Sequence, residues 1–386
     1  YGQRGAGQIE MWGIAMLRAP VLLVCARLAS LTTGQHEIHV GTSAGVDAHT
    51  IAGGVALIPP HQIERWTILV EPGVYRERVW INSSMGPVTL QGASAPEDTL
   101  LIFDCALAGN GLPGCANQTV KPVCAPLDGE NLGGSETLLV ESHDFVALNI
   151  SIANDACGYN SHLAAQSMAI QLWGDRGAFR HTRILGGQDT LFAGSPSMQI
   201  TRRQYFEESF INGSCDSIFG TSTIVFEQCV ITITDHVTAH RGVHSGDVNT
   251  TLLFVNSTLK KPGPEEWNPH PRGDRGKTDL GRPWGPLATV IYKDTWMDAH
   301  ISSAGWTDWH SGQCERFGAK CKTTPSCWCQ NVTFAEYRSR GPGASKNRAS
   351  WSQQLSDSEA ALFTPKTILH GWQPFASENM LPGLVV

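Results

Sequence analysis

From residue 136 onward, short apolar runs rich in β-branched and aromatic residues alternate with polar or glycine-containing breaks. They read TLLVES, FVALNISI, MAIQLW, FRHTRIL, QYFEESFI, TIVFEQCVITI and TTLLFVNSTL. Runs of this length and composition predict strands, not helices. Upstream, WTILVEPGVYRERVWI predicts strand, turn, strand, and VTLQGASAPEDTLLIFD a further pair. Phe179, Phe206, Phe226 and Phe254 recur at gaps of 27, 20 and 28 residues. Repeats of that period mark a solenoid, and the phenylalanines then form an inward stack. Gln166, Asp189 and Asp216 flank these strands at gaps of 23 and 27 residues. Coils stack about 4.8 Å apart, so one residue per coil makes a column. A column of Gln, Asp and Asp is suited to acyl or proton chemistry.

The ends and interruptions define the rest. Residues 31–40 read as a linker or strand entry. Residues 41–58 read as a turn and then, after Thr50, a small-residue helix capping the open end of the solenoid. WSQQLSDSEAALF predicts a helical tail over the side or end. Segments 105–135 and 260–279, rich in Gly, Pro and Cys or in Pro, Gly and charge, read as inserted loops. Solenoids run long as single domains, so residues 31–386 are expected to form one. Residues 1–30 read as upstream residues and a secretory signal peptide, with the apolar run between Met11 and Ser30. Arg18, Pro20 and Arg27 break that run, which is too short and too interrupted to span a membrane.

Net charge of −7 argues against a nucleic-acid partner. An anionic polysaccharide would therefore be held by local basic residues. Of eleven cysteines, Cys105, Cys115 and Cys124 fall in one insert, and Cys314, Cys321, Cys327 and Cys329 in another loop. Neither group has paired C-x-x-C zinc spacing, so disulfides are expected. Seven Asn-X-Ser/Thr sequons join the leader in favouring a secreted, extracellular glycoprotein. His236 and His240 have i, i+4 spacing, but on a strand that does not converge on a metal. No His/Cys/carboxylate set with ligand spacing lies near the column, so neither metal nor organic cofactor is expected. GTSAG at 41–45 matches a nucleophile elbow but lacks the strand–elbow–helix context.

GQDTLF (187–192) and INGSCDSIFG (211–220) resemble the two aspartate motifs of the pectin methylesterases. GVYRE (73–77) and LGRPW (280–284) resemble that family's other signatures, in the right order, and the likeness runs from about Ile38 to Phe375. The resemblance implies an all-β, single-stranded right-handed parallel β-helix of the pectin-lyase-like kind. It implies a monomeric cell-wall enzyme that hydrolyses galacturonate methyl esters of pectin, with methylated homogalacturonan and a proteinaceous inhibitor as partners. Carried over residue by residue, Asp216 is the nucleophile, Arg282 keeps it ionised, and Asp189 is acid and then base. Gln166 and Gln188 occupy oxyanion-hole positions; Trp284, Phe192, Phe219 and Arg282 contact substrate. The chain departs from the family at Cys215 and Ser217, which flank the nucleophile where an aliphatic and an aromatic residue are usual. Ser217 is read as a loss of apolar bulk beside the site. Thr182 and Ser209 stand where many plant members carry a cysteine pair. A catalytically silent pectin-binding relative and another β-helix lyase or hydrolase remain alternatives.

Overall fold

The computed structural model describes residues 36–106, 134–156, 166–195, 197, 200–245, 248–263, 277–309 and 332–375. The segment expected to be a signal peptide, most of the two stretches expected to be inserted loops and the cysteines at 314–329 lie outside the described residues.

The strands build three parallel sheets of 11, 7 and 8 members, and a separate two-stranded ribbon. One coil runs Gly177–Arg180, Arg183–Leu185, Leu191–Ala193, one strand in each sheet. The next repeats it as Arg203–Glu207, Phe210–Gly213, Ile218–Gly220. Each strand pairs in parallel with its counterpart one coil on, which makes the chain a right-handed parallel β-helix. The corner between the first and second strand of a coil is a single left-handed residue: His181 (φ 50°), Glu208 (46°), Gln228 (55°) and Asn256 (50°) in successive coils. Such a conformation costs roughly 1–2 kcal/mol at a non-glycine residue. It persists because the ladder bonds through it, as when Glu208 N donates to Glu227 O at 3.1 Å.

The expected phenylalanine stack is present and longer than anticipated. Phe179, Phe206, Phe226, Phe254 and Tyr292 lie in register, with ring centroids 4.3, 5.1, 4.7 and 4.4 Å apart and planes within 20°. Across the core, Ile152, Ile184, Ile211 and Ile231 form a second fully buried ladder. The aromatic row meets Glu336, which pairs with Arg348 at 2.6 Å, both side chains nearly sealed from water. Thr182 and Ser209 face each other across adjacent coils and share a 3.0 Å hydroxyl hydrogen bond. Asn212 is buried and donates to Thr232, so its sequon is closed in the folded chain.

Helix α1 (Ile51–Ala56) covers the N-terminal end, as expected, with Thr50 as its N-cap. Glu77, the last residue of GVYRE, accepts hydrogen bonds from Ile51 N and Ala52 N at 2.7 and 2.9 Å. That signature therefore fixes the cap to the first coils through a carboxylate at a helix N-terminus. The tail differs from the single helix expected. Gln353–Gln354 adds a short strand to the last coil, and only α2 (Asp357–Ala360) and α3 (Pro365–Ile368) are helical. The open sheet edge captures the first residues, and the Ser356/Glu359 capping box starts the helix later. Leu355, Phe363, Ile368, Trp372 and Phe375 then cover the outer face of the first sheet.

Phe226 sits mid-stack with a ring on each side. Phe226→Ala should cost about 3–5 kcal/mol of folding stability. Urea unfolding followed by circular dichroism checks this; a loss under about 1 kcal/mol contradicts the load placed on the stack.

Candidate active site

The site grows from the outward face of the seven-stranded sheet. Trp80, Leu139, Gln171, Phe192, Phe219, Ala239 and Arg282 follow one another in register, one per coil. Leu191 pairs with Ile218, so Asp189 and Asp216, each two residues earlier, stand on adjacent coils; Asp189 N donates to Cys215 O at 3.0 Å. Both aspartates are left-handed, with φ of 63° and 51°. They are only 6% and 5% exposed, at the floor of a cleft of about 310 Å³. Strained non-glycine residues held at a cleft floor are a feature of functional sites.

The two carboxyl groups have different surroundings. Arg282 grips Asp216 with both arms of its fork, Nε donating to Oδ1 at 2.8 Å and Nη2 to Oδ2. The guanidinium also lies over the Trp309 ring, 4.3 Å from its centroid. Asp189 has no such grip. Burial, and then the Asp216 charge, push its carboxyl well above the usual range; hydrogen bonds from Gln166 and Gln188 and the more distant Arg282 pull the other way. Two neighbouring carboxyl groups thus sit in unlike surroundings, one forked by a guanidinium and the other buried without a cation of its own.

Gln166 departs from the simple column. Its backbone partner is Gln188, an offset of 22 residues, whereas Ile170 pairs with Leu191, an offset of 21. This slip of one residue puts both amides around the Asp189 carboxyl in place of a strict Gln–Asp–Asp line. Phe192, Phe219 and Trp284 form an aromatic wall, with centroids 4.9 and 6.1 Å apart. Met168, Trp173 and Trp309 also line the cleft, and sequence reasoning did not single them out. Trp309 follows the last motif in a loop, where nothing in the local pattern distinguishes it.

Ser217 corrects an expectation. It is fully buried, and a side chain on Gly213 would collide with its hydroxyl, so it faces the coil interior and leaves the cleft wall unchanged. Cys215 is a buried free thiol behind Asp216. His240 is structural: Nδ1 accepts from Thr289 N, Nε2 meets Ser222 O, and burial lowers its pKa to about 4. His236 instead converges with Cys215 and Asp235, all buried, within 4.8 Å of one another. A His/Cys/carboxylate set does therefore lie near the column, contrary to expectation. Asp235 and His236 are neighbours in sequence, and Cys215, 20 residues before Asp235, meets them only through coil register.

The fold is that of solved pectin methylesterases. The enzyme from carrot superposes with a TM-score of 0.68 at 24% identity, over 89% of this chain and 95% of that one. A pectin methylesterase solved in complex with a hexasaccharide gives 0.62 at 22% identity, over 89% and 100%. In sequence, the pectinesterase family model matches residues 114–372. Pectinesterase 31 of Arabidopsis thaliana is 30% identical over 84% of this chain and 90% of its own length. A pectinesterase of Aspergillus aculeatus is 26% identical over 88% and 92%. The chain belongs to the pectinesterase family and is a carboxylic ester hydrolase.

Asp189 also shapes stability. Its folded pKa lies above the ordinary 3.8, so at low pH both folded and unfolded chains carry the proton and no cost arises. As pH rises past that value the unfolded chain ionises first, and stability falls until the folded pKa is passed. Asp189→Asn should therefore be more stable than the parent at pH 7 and lose that advantage at pH 3. Urea unfolding of both proteins at the two pH values tests this; an equal or lower stability of the variant at pH 7 contradicts it.

Proposed function

We propose that the cleft hydrolyses methyl esters of galacturonate residues in pectin by covalent catalysis, with Asp216 as nucleophile and Asp189 as acid and then base. The observation that carries this reading is the unequal pair: one carboxylate forked by Arg282, the other buried between two glutamine amides.

Asp216 attacks the ester carbonyl carbon, and the carbonyl electron pair moves to oxygen. The side-chain N–H groups of Gln166 and Gln188 donate to that oxyanion. As the intermediate collapses, the bond to methoxide breaks and Asp189 supplies the proton that makes methanol. The acyl-enzyme is then opened by water. Asp189, now ionised, takes the water's proton; a free galacturonate carboxylate leaves and Asp216 is regenerated. Arg282 orients Asp216 and, with Trp284, Phe192 and Phe219, contacts the sugar chain. No step calls on a metal or organic cofactor.

Residues 31–386 act in this reading as one catalytic domain of a secreted, monomeric cell-wall enzyme. No described helix is long and apolar enough to cross a membrane. A proteinaceous inhibitor is a second partner. The silent-binder alternative rested on Cys215 and Ser217, and both side chains lie behind the cleft floor.

Methanol release from methylated pectin, with chain length unchanged, is the expected activity. Asp216→Ala should lower turnover at least ~10³-fold, about 4 kcal/mol of barrier. Methanol assay together with viscosity measurement decides it. New reducing ends without methanol, or a well-folded Asp216→Ala variant with near-parent turnover, would overturn the assignment.

A further inference from the structure

Behind the nucleophile, the same register that aligns the aspartates assembles a second constellation. Cys215 and Asp235 are opposite residues of adjacent coils, and Asp235 N donates to Ser214 O at 3.0 Å. Cys215 Sγ lies 3.8 Å from His236 Nδ1, and that nitrogen lies 3.0 Å from Asp235 Oδ1. We propose that Cys215, Asp235 and His236 form a binding site for a borderline-soft divalent ion of the zinc class, whose occupation slows the esterase.

Three observations support the site. First, zinc bonds near 2.0–2.3 Å in a tetrahedron imply ligand separations of roughly 3.3–3.6 Å, close to those seen. Second, the donor set of thiolate, imidazole and carboxylate favours zinc over calcium or magnesium. Third, the histidine has outer support. Its Nε2 faces Asp279 Oδ2 at 3.8 Å, and Ser302 Oγ donates to Asp279 Oδ1. Drawn to hydrogen-bond distance when the ion binds, that carboxylate would fix the imidazole's tautomer and strengthen it as a ligand. Without an ion, burial holds the Cys215 thiol protonated, which leaves it inert as a nucleophile. Binding releases that proton to solvent, and water completes the coordination.

Occupation would reach the reaction through Arg282, whose Nη2 lies 3.7 Å from Cys215 Sγ while also holding Asp216. A dication balanced by the thiolate and the Asp235 carboxylate adds one net positive charge there. It repels the guanidinium and draws away the sulfur electrons that faced it, loosening the fork on Asp216. Only this inhibitory arm rests on the proposed esterase function.

The test uses the full chain with disulfides intact. Co²⁺ serves as a spectroscopic probe, followed by Zn²⁺ in equilibrium dialysis and in the methanol assay. One ion per chain is expected, with a thiolate-to-cobalt charge-transfer band. The band should vanish in Cys215→Ala, weaken at least about tenfold in affinity in His236→Ala, and survive in Cys229→Ala, the control at the other buried free thiol among the described residues. Zinc should slow methanol release about 10- to 100-fold in the parent and not in His236→Ala. Circular dichroism confirms each fold. Absence of the band, or its persistence in folded Cys215→Ala, overturns the site. Binding with no loss of methanol release overturns the inhibitory role. A parent that releases no methanol overturns the esterase reading alone, because the cobalt band still decides the site.

Discussion

Lateral register between coils is the constraint on which everything else depends. Parallel ladder bonds fix neighbouring strands about 4.8 Å apart and allow no slip without exposing a core face. The same pairing that sets Phe179 on Phe206 and Phe206 on Phe226 sets Asp189 beside Asp216. The geometry of the cleft floor is therefore inherited from core packing. Arg282 shows the reach of this logic. It lies 66 residues beyond Asp216 in sequence, yet only two strands away in the sheet, close enough for a forked ion pair.

Register also explains what the sequence could and could not reveal. Strands, the phenylalanine stack, α1 with its Thr50 cap and the two aspartate motifs were legible, because each is encoded locally or repeats at the coil period. The Gln166–Gln188 pairing was not, because a one-residue slip between coils leaves no mark on spacing counted along the chain. The inward turn of Ser217 was missed for a related reason. Direction near a left-handed aspartate no longer follows the simple alternation of a strand. The corners at His181, Glu208 and Gln228 carry no turn-forming residue that would announce them; their conformation is imposed by pairing on both sides. The tail was misjudged because helix propensity competed with an unpaired edge that only the assembled coils present.

Much of the site is a local expense that a long scaffold can carry. Two left-handed aspartates, a desolvated carboxyl and like charges on adjacent coils each oppose folding. A small domain with one compact core would feel each as a large fraction of its stability. In a solenoid, every coil contacts only its neighbours, and the strain is confined to two of them. Those two coils also contain Phe179 and Phe206, the most closely stacked pair of the aromatic row, at 4.3 Å and 6° between planes. On the opposite wall they contribute Ile184 and Ile211, both fully buried. Good packing on two walls thus faces poor electrostatics on the third. The asymmetry is functional: the strained wall is the one whose outward row forms the cleft, and the packed walls keep its backbone from relaxing. An arrangement that relieved the strain by letting Asp189 swing to solvent would also remove the burial that raises its pKa. The proton that the proposed acid role needs would then be lost.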